Sequence, residues 1–233
     1  MRKAGSALSK DIFQFWAEMP EDANMHPADA HVFSRLEKNH DFDLTCRPGA
    51  YCGPLKTAKV VLLFLSPGLD PTDAVHGASP EGKKYYANQR SGTAMLPDAK
   101  QHEAAQNWLA SATKQFGLDY EEARSTVAML NIGAYKSKSF PDWHMLAALP
   151  SSRVCLDWAQ SVLFPQAESG ERVVVCLRSP NYWGVGIGEP IGKLFRPECN
   201  RNAKMLHGPV RAHIEESVRA AVRGIPPRTK FSN

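Results

Sequence analysis

The chain has 233 residues, 43% hydrophobic and 22% charged, enough to bury a sizeable core in a single globular domain. Its formal net charge of +4 suits a polyanionic partner without requiring one. No apolar run approaches a membrane span, no apolar segment follows Met1-Arg2-Lys3 as a secretory leader would need, and the five cysteines lack a Cys-x-x-Cys spacing. These features argue against a membrane protein, a disulfide framework or a zinc ribbon. A cytoplasmic monomer without metal or cofactor is expected.

In chain order, Ser9 to Met19 places Ile12, Phe13, Phe15 and Trp16 at helical spacing, closed by Pro20. A short helix is predicted over Ala28 to Lys38, then a Gly- and Pro-rich loop from Phe42 to Thr57. Val60 to Leu65 is six consecutive apolar residues, fitting a strand buried on both faces of a parallel sheet. It stops at Ser66-Pro67-Gly68, so polar residues arrive just beyond a strand's carboxyl end, where open α/β sheets hold ligands. Residues 66 to 99 read as a long loop, a length that points to function. Gln101 to Phe116 is predicted helical with Gly117 as its stop, and Thr126 to Asn131 is a second buried strand. Helices are predicted over Pro141 to Leu149 and over Ser152 to Leu163, the latter entered through Ser151 or Ser152 as N-cap. Arg172 to Leu177 is a third buried strand, 181 to 202 another loop, and Ala203 to Leu206 a short last strand. Val210 to Arg223 is an amphipathic helix followed by a basic tail. Strands alternating with helices predict an α/β fold with a mainly parallel sheet.

Some nucleotide-binding signatures are absent. There is no Gly-x-x-x-x-Gly-Lys-Ser/Thr, and Gly184-Val185-Gly186-Ile187-Gly188 lacks the Gly-x-Gly-x-x-Gly spacing. No Gly-x-Ser-x-Gly elbow occurs either.

Three strand-end motifs remain, in order: Leu65-Ser66-Pro67-Gly68, Leu130-Asn131-Ile132-Gly133-Ala134-Tyr135 and Leu206-His207-Gly208-Pro209. Together, over roughly residues 59 to 223, they resemble the uracil-DNA glycosylase superfamily. The resemblance implies a three-layer α/β/α fold around a small, about four-stranded, mainly parallel sheet. It implies hydrolysis of an N-glycosidic bond in DNA, with the base flipped out of the stack and read by its edge. As the base leaves with its electrons, the sugar gains oxocarbenium character, so the site needs an acceptor facing water or the sugar and a donor facing the base.

By that resemblance, His207 would donate to the departing base, and Asn131 would read the base edge. Tyr135 would border the base, Tyr86 or Tyr85 would stack on it, and Gly68 would bring backbone close to it. Where many members carry an acid before the first proline, this chain has Ser66, which can position water but is a poor base unaided. Asp70, or next Asp73, is the candidate to replace it. The unusual first motif leaves a modified pyrimidine, including those of phage DNA, as an alternative to uracil. Lys136, Lys138, Arg178 and Arg201 fall beyond strand ends and are expected to contact the DNA backbone, with Lys83, Lys84 and Arg90 as further candidates. Two rival readings stand beside this one: a non-catalytic module that binds DNA or a modified base, which Ser66 favours, and a hydrolase of free nucleosides or nucleotides.

Overall fold

The apolar run at residue 60 becomes the centre of a sheet. In the computed structural model, which describes residues 11–139 and 144–224, Val60–Phe64 forms strand β2 with every residue buried. Parallel neighbours flank it on both sides, β3 (Val127–Asn131) and β4 (Val173–Cys176), with Leu63 level with Leu130 and with Cys176. A third parallel pairing adds β6 (Leu194–Arg196) beyond β4. The edges are antiparallel, β1 (Tyr51–Cys52) on β3 and β5 (Gly188–Ile191) on β6. The order is therefore β1-β3-β2-β4-β6-β5.

Alternation along the strands divides the core between two helical layers. Val61 and Leu63 face a cluster containing Ile12, Phe15 and Trp16 of α1 (Ile12–Ala17), Trp158 of α8 (Pro150–Trp158) and Phe164 of α9 (Phe164–Glu168). Val60, Leu62 and Phe64 face the other way, toward Leu109 of α5 (Ala99–Lys114), Ala123 of α6 (Tyr120–Arg124), and Ile214 and Val218 of α10 (Pro209–Arg223). With both faces covered, the central strands have no use for polar alternation, which is why they read as unbroken apolar runs. A smaller cluster gathers Val32 and Phe33 of α2 (Ala30–Leu36) with Phe42, Tyr135, and Met145 of α7 (Met145–Ala148).

The structure corrects several expectations. The sheet has six strands rather than about four, because two short antiparallel strands extend the parallel centre. Residues 66 to 99 are no loop: they hold α3 (Asp73–Ala78) and α4 (Pro80–Arg90). The punctuation that suggested turns is helix entry, since the Ser79 side chain accepts from the Gly82 amide and Pro80 occupies the first turn. The fourth parallel strand lies inside the expected loop 181–202, with only three residues to signal it. Ala203 to Leu206 is not a strand; Met205 makes a single isolated bridge to Cys199. Helix α8 starts at Pro150 after Leu149, so Ser151 and Ser152 are buried within its first turn instead of capping it. The predicted helix at 141–149 is α7 alone within the described residues; the start at Ser9, residues 140–143 and the basic tail from 225 lie outside them. No described helix is long and apolar enough to cross a membrane.

Candidate functional site

Beyond the carboxyl ends of β2 and β3 opens a cavity of about 280 Å³, near the lower limit of roughly 300 Å³ for small-molecule sites. The exit of β2, Pro67 to Asp70, forms one wall, and Asn131 and Lys136 from the end of β3 form another. Helix α4 contributes Tyr85, Tyr86, Gln89 and Arg90, α5 contributes Trp108, and Trp16 with residues 48–52 closes the remaining side.

A buried charge cluster supports the first wall. Asp73, at the start of α3, is 2% exposed, and its Oδ1 lies 3.0 Å from Lys136 Nζ and 3.3 Å from His102 Nε2. Its Oδ2 accepts from the Asp70 amide at 2.7 Å. Burial alone would raise the Asp73 pKa, but the His102 hydrogen bond, the Lys136 charge and the Asp70 amide outweigh it and hold the carboxyl at about 2. His102 reaches inward because the backbone of α5 breaks there, with φ −167° and ψ 91°. Its ring lies 4.1 Å from that of His76, whose pKa is lowered by burial and then by the neighbouring His102.

Asp70 keeps an accessible carboxylate on the cavity wall. Its Oδ1 accepts from the Thr72 hydroxyl at 2.6 Å and the Thr72 amide at 2.9 Å, bonds that hold its pKa below the ordinary value. Asn131 is 8% exposed, and its orientation is imposed: the backbone amide donates to Ala50 O, and Nδ2 donates to Gly49 O at 2.9 Å. That leaves Oδ1 and the second Nδ2–H for a ligand. Tyr85 and Tyr86 are buried, packed edge-on at 5.0 Å and close to both His76 and His102. Gln89 is committed, accepting from Gly53 N and donating to Met95 O.

Of the residues singled out from sequence, Asp70, Gly68, Asn131 and Tyr86 line this one cavity, with Asp73 and Tyr85 beside them. Ser66 is half-buried at the strand exit but outside the lining. Tyr135 is a correction. It is 1% exposed in the smaller cluster, its hydroxyl donating to Asp29 Oδ2 at 2.6 Å and accepting from His26 N. The chain after β3 turns back into the core there, which gives the ring a structural partner instead of a ligand. His207 is also corrected: it is exposed, lies 3.4 Å from Arg211 Nη1 and does not line the cavity. The last parallel strand ends at Arg196, so a connection of several residues separates His207 from the strand end.

The basic residues are divided between two clefts and the surface. Lys136 turns inward to Asp73 and is 11% exposed, so it is not a backbone-contact lysine, whereas Lys138 is exposed. Arg178 and Arg201 line a separate cleft of about 220 Å³ beyond β4, where Arg178 donates to the Arg201 carbonyl. Lys83 pairs with Asp22 on the surface, and Lys84 is exposed. His102, Trp16 and Trp108 were not anticipated. Each sits in a stretch whose spacing spells only a helix, and no pattern marks a helix break that turns a histidine inward. Comparison of the chain with known protein families, curated proteins and solved structures finds no match.

Proposed function

We propose that the chain is a DNA glycosylase of the uracil-DNA glycosylase type, flipping a damaged or modified pyrimidine into the 280 Å³ cavity and hydrolysing its N-glycosidic bond. The observation that supports this is the convergence of Pro67 to Asp70, Tyr86 and Asn131, from three separate segments, on one cavity at the carboxyl end of a parallel sheet. In this reading the base lies against Tyr86, and Asn131 offers an acceptor beside a donor, the complement of an adjacent N–H and C=O on a uracil-like edge. Asp70, ionised and held by Thr72, is a weak base with a lasting negative charge, suited to facing an oxocarbenium-like sugar and orienting water. Lys136, rather than His207, supplies the positive charge on the cavity wall for the leaving base. The C1′–N bond breaks with its electron pair going to the base, the water oxygen forms the new bond to C1′, and the proton it sheds balances the one the base takes up.

Duplex and single-stranded DNA carrying uracil or modified pyrimidines should yield free base and alkali-labile abasic sites. Asp70→Asn should lower the rate by about 10²–10³, the usual loss for one preorganised electrostatic group. Intact DNA across the whole panel would remove this reading. A second reading, a hydrolase or binder of free nucleotides, is favoured by Lys136 being engaged with Asp73 and by Arg178 and Arg201 facing another cleft. Salt separates the two: action on DNA should weaken steeply as salt rises, action on a free nucleotide only slightly.

A further inference from the structure

The second cleft, of about 220 Å³, is walled by Leu177 to Pro180 where the chain leaves β4 and by Pro197 and Cys199 to Arg201 where it leaves β6. Strands β3, β2, β4 and β6 lie side by side and parallel, so this cleft and the cavity beyond β2 and β3 open on the same edge of the sheet. Neighbouring strands are about 4.8 Å apart, which puts the two openings two strand widths, roughly 10 Å, from each other.

The acceptors of this cleft are already engaged. The Arg178 carbonyl accepts from the Cys176 thiol, the Pro197 carbonyl from the Cys199 thiol, and the Arg201 carbonyl from Arg178 Nη1. The carbonyls of Ser179, Pro180 and Asn200 accept backbone amides, and Asn200 Oδ1 accepts from the amides of Asn202 and Lys204. Side-chain donors are left over. Among the described residues, the Arg201 guanidinium, the remaining N–H groups of Arg178, the Ser179 hydroxyl and Asn200 Nδ2 meet no protein acceptor, and neither arginine pairs with a carboxylate. An occupant can reach these groups, since Arg201 and Asn200 are exposed and Arg178 and Ser179 half-buried. No carboxylate lines the cleft.

A concave surface with two cations, two neutral donors and its acceptors engaged matches an anion that carries several oxygens. A phosphate fits best, because the planar guanidinium fork can hold two of its oxygens while a hydroxyl and an amide reach the others. We propose that the cleft between β4 and β6 is a phosphate subsite, with Arg178 and Arg201 as its cations and Ser179 and Asn200 as its neutral donors. The phosphate has two possible sources, a phosphodiester of the strand whose base enters the cavity or a free phosphate ester. Only the first rests on the glycosylase reading, and the shared sheet edge favours it: a strand feeding a base into the cavity passes this cleft within a few nucleotides.

Two measurements on the full chain test this. Inorganic phosphate, titrated against amide-resolved NMR spectra, should shift residues 177–180 and 199–201 saturably, whereas chloride at matched ionic strength should not. Arg201→Gln should weaken that binding about tenfold, the loss expected for a charge-assisted hydrogen bond. The Arg201 side chain has no protein partner among the described residues, so the fold does not depend on it. Arg178→Gln should do the same, with circular dichroism confirming that it folds without its bond to the Arg201 carbonyl. For the second measurement, affinity for a single-stranded oligonucleotide is followed by anisotropy as salt is raised. Arg201→Gln should lower the slope of log K against log salt by about 1, while Lys59→Gln, exposed at the opposite edge of the sheet, should leave it unchanged.

Phosphate binding at the cleft together with the reduced slope identifies a strand phosphodiester. Phosphate binding with an unchanged slope, or with no DNA binding, identifies a free ester; absence of DNA binding would also remove the glycosylase reading and keep the subsite. Shifts scattered over the surface, shifts that survive Arg201→Gln, or no saturable shift through the millimolar range would each overturn the proposal. Base release from DNA in that last case would leave the glycosylase reading standing without the subsite.

Discussion

A methyl group at Gly68 would meet nothing within 4 Å in the free protein. Gly68→Ala should therefore leave the melting temperature unchanged, so any loss of base release or ligand affinity in that variant reports substrate backbone approaching this rim. Unchanged activity would mean that the rim stays clear of the ligand. Asp73 gives a pH prediction. Its folded pKa is depressed to about 2 from an ordinary 3.8, so the unfolded state binds more protons between those values. The stability it contributes, on the order of 2 kcal/mol, is fully present above about pH 4 and lost as pH falls toward 2. Asp73→Asn should flatten that part of the acid-unfolding curve; an unchanged curve would contradict the assignment. Asn131 and Tyr135 show how far residues were legible. Both belong to one motif, yet Asn131 reaches the cavity because Gly49 and Ala50 fix it at a strand end, while Tyr135 is drawn to Asp29. That direction depends on partners more than eighty positions away in the chain, which no local pattern encodes.

At the level of elements, the junction of α3 and α4 carries the site. A Cβ at Gly82 would collide with the His76 carbonyl, so only glycine lets the first turn of α4 sit this close to α3. Gly82→Ala should push the two helices apart, destabilise the fold by about 1–3 kcal/mol, and weaken ligand binding more than Gly68→Ala does, because His76 and Asp73 both ride on α3. Chemical denaturation beside calorimetry checks both parts. These helices were invisible as periodic patterns because α4 spends most of its residues on polar groups and on side chains lining a cavity rather than a core stripe. The buried strands β2, β3 and β4 were readable for the opposite reason, since desolvation on both faces leaves only apolar choices.

At the level of the whole molecule, the layered α/β arrangement follows from those strands alternating with helices, and the edge strands escaped notice because two to four residues cannot display a period. The cavity, however, is not made by the sheet alone. Arg47, 3% exposed, donates to Gly77 O at 2.5 Å and to the carbonyls of Glu21 and Ala23, tying the segment before β2 onto α3. Trp16 and residues 48–52 belong to that same segment. Detaching it would dismantle one side of the cavity, so occupancy and attachment are thermodynamically linked. A ligand at about a hundred times its Kd would oppose detachment by roughly 2.7 kcal/mol, slowing exchange of the amides in residues 12–52 about a hundredfold wherever exchange proceeds through that opening. Hydrogen exchange confined to this segment would thus register ligand arrival even where no bond is broken, making the amino-terminal wall a built-in gauge of what the cavity accepts.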